Sequence, residues 1–116
     1  MIIALEGVAA TGKTTTALHL VESVGATRIP EVNLLFPERP RPEPDDWYCA
    51  RQFDRWALAR QTSSDLAILD GDHCHPIWFC WIYPDRGFRP WSEHLECFEA
   101  RKDAISFPAF YVYLYI

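Results

Sequence analysis

The most specific chemical signal lies near the start of the chain. Gly7-Val8-Ala9-Ala10-Thr11-Gly12-Lys13-Thr14 fits the phosphate-loop pattern G-x-x-x-x-G-K-[ST]. A loop of this kind surrounds phosphates with successive backbone N–H groups and with the positive end of the helix that follows. Lys13 is expected to reach the β- and γ-phosphates of ATP, and the Thr14 hydroxyl to ligate Mg²⁺. Thr15 extends the cradle by one residue. Glycine at each end of the loop allows backbone angles that a side chain would forbid.

Such a loop needs an acidic partner on a neighbouring strand. Leu66-Ala67-Ile68-Leu69-Asp70 supplies one: an apolar run that delivers a carboxylate to the ligand-binding end of a sheet. Asp70 is the expected second Mg²⁺ ligand, through water. Glu31, at the end of the second expected strand, is the candidate general base toward an acceptor hydroxyl, and Asp72 is its rival. Lys13, Glu31 and Asp70 form the expected catalytic set.

His73, Cys74 and His75 are all capable of binding zinc. Adjacent strand residues point to opposite faces, however, and no fourth ligand stands at a recognisable spacing, so a loop beside the site is expected instead. Arg86 and Arg89 are candidates to clamp an anionic substrate.

The elements around these residues alternate between strand and helix. Ile2–Glu6 reads as a buried strand and Lys13–Val24 as a helix, with Ala17, Leu18, Leu20, Val21 and Val24 on the sheet and Gly25 as its cap. Thr27–Val32 reads as a second strand. Asn33–Asp46, with Pro37, Pro40, Pro42 and Pro44, reads as a loop. Trp47–Gln61 is a predicted helix, with Cys49, Phe53, Trp56 and Ala57 inward and Arg51, Arg55 and Arg60 on other faces. Leu66–Leu69 is a third strand, Ile77–Tyr83 a helix, Pro84–Pro90 a loop, Trp91–Arg101 a helix and Ala109–Ile116 a last strand. This order predicts a three-layer α/β fold of the phosphate-loop NTPase type, mainly parallel, with helices on both faces.

Composition narrows the partners. The 116 residues suit one domain, and 49% are apolar, enough for a packed core. The net charge of -5 disfavours a nucleic-acid partner, which needs a positive surface. No run approaches the roughly 20 apolar residues of a membrane span, and Glu6 interrupts the apolar start, unlike a signal peptide. The four cysteines, Cys49, Cys74, Cys80 and Cys97, show no C-x-x-C spacing and are expected as reduced thiols of a cytoplasmic protein.

Ile3-Ala4-Leu5-Glu6-Gly7, running into Gly12-Lys13-Thr14-Thr15 and Leu18, resembles the opening of thymidylate kinases. Pro30-Glu31-Val32 resembles the end of the second strand in deoxynucleoside kinases, and the resemblance implies Glu31 as base toward a sugar hydroxyl. It also implies a kinase that passes the γ-phosphoryl group of Mg-ATP to a small acceptor, nucleoside or nucleotide, with Gln52 as a candidate reader of its base. The chain departs from those kinases at Gly71, where they carry arginine after the strand acid. Asp70-Gly71-Asp72 is similar instead to a motif of gluconate and adenylylsulfate kinases. The lone Asn33 leaves no N-K-x-D guanine reader, and Gly71 stands where motor ATPases carry glutamate.

The resemblance implies that an arginine-bearing lid, a further helix and a fifth strand follow the strand at Phe110–Ile116. The expectation is a single domain, residues 1–116, that lacks those parts and self-associates through an open last strand. The alternative is an ATP-binding module, or inactive fragment, without catalysis.

Overall fold

The computed structural model describes residues 1–115. Among them, β1 (Ile2–Glu6), β2 (Thr27–Ile29), β3 (Ala67–Asp70) and β4 (Phe110–Tyr113) form one sheet in the order β2-β3-β1-β4. Every pairing is parallel. Parallel neighbours need crossovers, and helices fill them. α1 (Lys13–Val24) joins β1 to β2. α2 (Val32–Leu35) and α3 (Trp47–Gln61) join β2 to β3. α4 (His75–Ile82), α5 (Trp91–Ala100) and a 3-10 turn (Lys102–Ala104) lead to β4.

The two-residue alternation of the strands separates two cores. Ile3, Leu5 and Ile68 face one side and pack with Ala17 of α1 and with Ala26. Ala4, Ile29, Ala67 and Leu69 face the other and pack with Trp56 and Ala59 of α3. The expected α/β class, with a parallel sheet and helices on both faces, is therefore observed. α1 is capped by Gly12, whose φ of 92° is left-handed, and by Gly25, at φ 70°. The Ala26 N–H then donates to the Leu20 carbonyl at 3.4 Å, satisfying a carbonyl of the last turn. Only Ala17 of α1 is fully buried; Leu18 and Val24, expected on the sheet, are exposed.

Several expectations are corrected. β2 stops at Ile29 rather than Val32, because Pro30 has no N–H to continue a ladder. Part of the expected loop then winds into α2, with Glu31 at its N-cap. In α3 the buried positions are Trp47 and Cys49 in the first turn and then the set Gln52, Arg55, Trp56 and Ala59, whereas Ala57 is exposed. That set follows helical i, i+3, i+4, i+7 spacing, with polar members that serve strand-end carbonyls. β3 is Ala67–Asp70, not Leu66–Leu69, so Asp70 itself lies in register with Leu5. α4 starts earlier than expected, at His75, with Pro76 in its first turn where the missing N–H costs nothing.

Cys49 and Cys97 are joined in a disulfide, against the expectation of reduced thiols; Cys74 and Cys80 are free. α3 lies beside α5 with the Phe53 and Phe98 rings 5.2 Å apart, and this packing brings together two cysteines 48 residues apart. β4 is an edge strand with Phe110 and Tyr113 largely exposed. Ile116, the last residue of the expected strand, lies outside the described residues. Among those described, no helix is long and apolar enough to cross a membrane.

Candidate functional site

The loops that follow β1, β2 and β3 meet at the carboxyl end of the sheet, the edge where open α/β folds bind ligands. The loop after β1 begins with Gly7 at φ 151°. A Cβ there would stand 2.5 Å from the Leu114 carbonyl oxygen and 2.8 Å from Thr11 Oγ1, so only glycine fits. Ala10 also adopts a left-handed φ, 64°. The first N–H of α1 to be used inside the helix is that of Thr16, which donates to Gly12 O at 2.8 Å. The N–H groups of Lys13, Thr14 and Thr15 precede it in the first turn, where helical donors lack intrahelical acceptors. Val8, Ala9 and Ala10 are exposed, so the loop is open to a ligand.

Lys13 folds back over this loop: Nζ donates to Gly7 O at 2.7 Å and to Val8 O at 3.3 Å. Thr14 Oγ1 donates to Asp70 Oδ2 at 2.9 Å. Residues 56 positions apart are thereby joined, because β1 and β3 are neighbours and both side chains lie on the α1 face. Asp70 is 1% exposed. Its Oδ2 also accepts from Arg28 Nε at 2.8 Å, while Oδ1 is buried with no donor.

Glu31 is exposed and lies against the backbone that follows Asp70. Its Oε1 would be 3.4 Å from a Cβ on Gly71. Gly71 itself has φ 88°, which accounts for glycine at the position where arginine was expected. Asp72, the rival base, is 5% exposed, with its Oδ1 3.1 Å from His73 Nδ1.

Three residues that the sequence reading passed over hold this edge together. Glu6 is buried: Oε1 accepts from the Gly7 N–H at 2.9 Å and Oε2 from the Asp72 N–H at 3.1 Å, with His75 Nδ1 at 3.4 Å. Burial alone would raise its carboxyl, but those bonds and the His75 ring outweigh it and hold the group below the ordinary value. Arg55 threads its guanidinium under the ends of β2 and β3. It donates to the carbonyls of Pro30 at 2.7 Å, Asp70 at 3.0 Å and Gly71 at 2.9 Å, and to Gln52 Oε1 at 2.8 Å. Burial lowers its pKa from the ordinary value. Arg28 is the partner of Asp70 described above. An arginine on a helix or a short strand carries no local mark of such a role.

Gln52, the candidate base reader, is buried, and its carbonyl oxygen accepts from Arg55. Arg89, proposed as a clamp, is held by Asp45 and Glu93. Arg86 lies over the Tyr83 ring. His75 stacks on Phe79 at 4.9 Å instead of joining His73 and Cys74.

Two sizeable cavities differ in placement. One of about 480 Å³ opens at the amino end of the sheet, by Met1, Trp56 and Thr62, away from the loops. Another, about 400 Å³, flanks the carboxyl edge between Arg39, Tyr48, His75, Phe79 and Phe88. Burial raises the Tyr48 phenol above its ordinary value, so it remains a donor at neutral pH. Compared with known proteins, the chain matches no family model and no curated sequence.

Proposed function

We propose that the chain is an ATP-binding protein of the phosphate-loop kinase type, acting on a small hydroxyl- or phosphate-bearing acceptor, with a nucleoside or nucleotide favoured. The observation that carries this reading is the 2.9 Å bond between Thr14 and Asp70. It joins the glycine-bounded loop to the strand carboxylate that a magnesium–nucleotide site requires. The unpartnered Asp70 Oδ1 leaves one oxygen for a cation or its water shell.

In this reading the N–H groups of residues 8–15 receive the phosphates of ATP, and Lys13 exchanges its bonds to Gly7 O and Val8 O for phosphate oxygens. Thr14 and Asp70 hold Mg²⁺, whose charge offsets that of the triphosphate. Glu31 orients the acceptor hydroxyl and takes its proton. The acceptor oxygen bonds to the γ-phosphorus as the bond from that phosphorus to the β–γ bridging oxygen breaks, and ADP leaves with the electron pair. The exposed position of Glu31 favours it over buried Asp72. The cavity by Tyr48 and Phe79 is the place for the acceptor. The reading goes with self-association through the exposed β4 edge.

A second reading, an ATP-binding module without catalysis, draws on Arg28. Its guanidinium already neutralises Asp70 and competes with a cation there. One experiment separates the two. Mg-ATP binding is measured by calorimetry for the natural chain and for Lys13→Ala, and ADP release is followed with a panel of nucleosides, nucleotides and sugars. Both readings expect binding that weakens at least tenfold in Lys13→Ala. Only the kinase reading expects acceptor-dependent ADP. Equal ATP affinity in the two proteins would overturn both.

A further inference from the structure

The turn after β3 holds a group that the nucleotide reading does not use. Sequence alternation argued against convergence of adjacent side chains, but Asp72, His73 and Cys74 lie in a turn rather than a strand. Their ligand atoms fall within 4.8 Å of one another. Asp72 and His73 are buried, His73 completely, while Cys74 is half-buried at the rim.

The hydrogen bonding of His73 defines what this cluster lacks. Its Nε2 lies 2.9 Å from the Ser106 carbonyl oxygen. A carbonyl only accepts, so Nε2 carries a proton. In the neutral ring Nδ1 is then a bare lone pair. It faces Asp72 Oδ1 at 3.1 Å, and neither atom has a hydrogen-bond partner. Two buried acceptors pointed at each other are unfavourable unless something positive lies between or beside them. The Trp56 ring, stacked on His73 at 4.7 Å, and the Ser106 bond together fix the imidazole in this orientation. A carbonyl that orients the far nitrogen is the usual outer partner of a metal-binding histidine.

We propose that Asp72 Oδ1, His73 Nδ1 and Cys74 Sγ form a site for a borderline transition-metal cation of the zinc type. One oxygen, one nitrogen and one sulfur donor match the preferences of Zn²⁺ or Co²⁺ and not those of Mg²⁺, which takes oxygen ligands. Cys74 also lines an apolar cavity of about 340 Å³ with Ile77, Trp78, Phe98 and Phe107. That cavity gives the ion an entry path and leaves a coordination position for water or a small ligand. Binding releases the thiol proton of Cys74 to solvent as the metal–sulfur bond forms. The ion ties the β3 turn to the Ser106 segment ahead of β4, independently of any nucleotide.

Cobalt titration of the intact chain, freed of metal by a chelator, tests this directly. Absorption is expected to show one equivalent of bound Co²⁺ with a thiolate-to-cobalt band, abolished by an equivalent of Zn²⁺. Cys74→Ser, a conservative change at a half-buried position, is expected to remove the band, whereas Cys80→Ser keeps it. Alkylation of Cys74, located by mass spectrometry, is expected to slow at least tenfold with Zn²⁺ and to be unaffected by Mg²⁺. A chain without the band overturns the proposal, as does a band that survives in Cys74→Ser. An alkylation rate indifferent to Zn²⁺ does the same, and leaves Asp72 and His73 as a simple ion pair.

Discussion

The loops at the tips of β1 and β3 lie side by side and are built in opposite ways. The loop after β1 offers main-chain groups and is largely open; its side chains, Val8 to Ala10, are small or apolar and unburied. The end of β3 and the turn after it offer side chains and are closed: Asp70, Asp72 and His73 are all buried. A backbone cradle leaves folding almost indifferent to what it binds. A buried polar turn is part of the folding energy, since each of its groups loses water and needs a partner. Substitutions in the first loop are therefore expected to move binding, and those around the second to move stability.

The largest effect on that contrast is expected at Arg55. Arg55→Met keeps much of the stem but leaves the carbonyls of Pro30, Asp70 and Gly71 without their donor. Each buried orphan costs about 1–3 kcal/mol, so roughly 3 kcal/mol or more is lost, a large share of a domain's stability. Urea unfolding followed by tryptophan fluorescence measures it. A midpoint unchanged in Arg55→Met would show that the β3 turn is not held as described.

The disulfide gives the next largest effect. It closes a loop across 48 residues and fastens α5 onto α3, on the side of the sheet that carries Trp56 and His73. Reduction is expected to cost about 2–4 kcal/mol, read as a lower melting temperature in dithiothreitol. Alkylation under denaturing conditions should count two thiols, Cys74 and Cys80, before reduction and four after. A count of four without reduction would show that α3 and α5 are not covalently joined.

The same contrast explains what the sequence discloses. The phosphate loop is a local pattern: a run of adjacent residues between a strand and a helix. The structure keeps β1, α1 and the Gly12 and Gly25 ends where the pattern set them. The contact of Asp70 with Thr14 was also legible, because it follows from two strand ends on one sheet edge. The β3 turn was not. Arg55 sits among the arginines expected on the other faces of its helix, and its burial depends on carbonyls at the ends of two strands. Glu6 looked like an interruption of an apolar run, and nothing local announces two N–H donors from different loops. The Cys49–Cys97 bond depends on α3 meeting α5, which spacing does not encode.

Glu6 belongs to both loops, and it gives the smallest and sharpest prediction. One carboxylate oxygen takes the Gly7 N–H of the first loop and the other takes the Asp72 N–H of the second. Glu6→Gln keeps one acceptor oxygen and puts an amide NH₂ against the remaining donor, at a cost of about 1–2 kcal/mol near neutral pH. The folded carboxyl is held below its ordinary value, chiefly by the bonds from His75, Gly7 and Asp72 acting against burial. A group depressed in the folded state contributes stability above its unfolded pKa, about 4.3 for glutamate, and loses it as pH falls through the folded value. The difference in unfolding free energy between the natural chain and Glu6→Gln is therefore expected to be constant above about pH 5. It should shrink as acid protonates the carboxylate that the variant lacks. Urea midpoints from pH 7 down to the start of acid unfolding supply the curve. A gap that widens in acid would mean that Glu6 is already protonated at neutral pH, and that the two loops are joined by a neutral hydrogen bond instead of a charge.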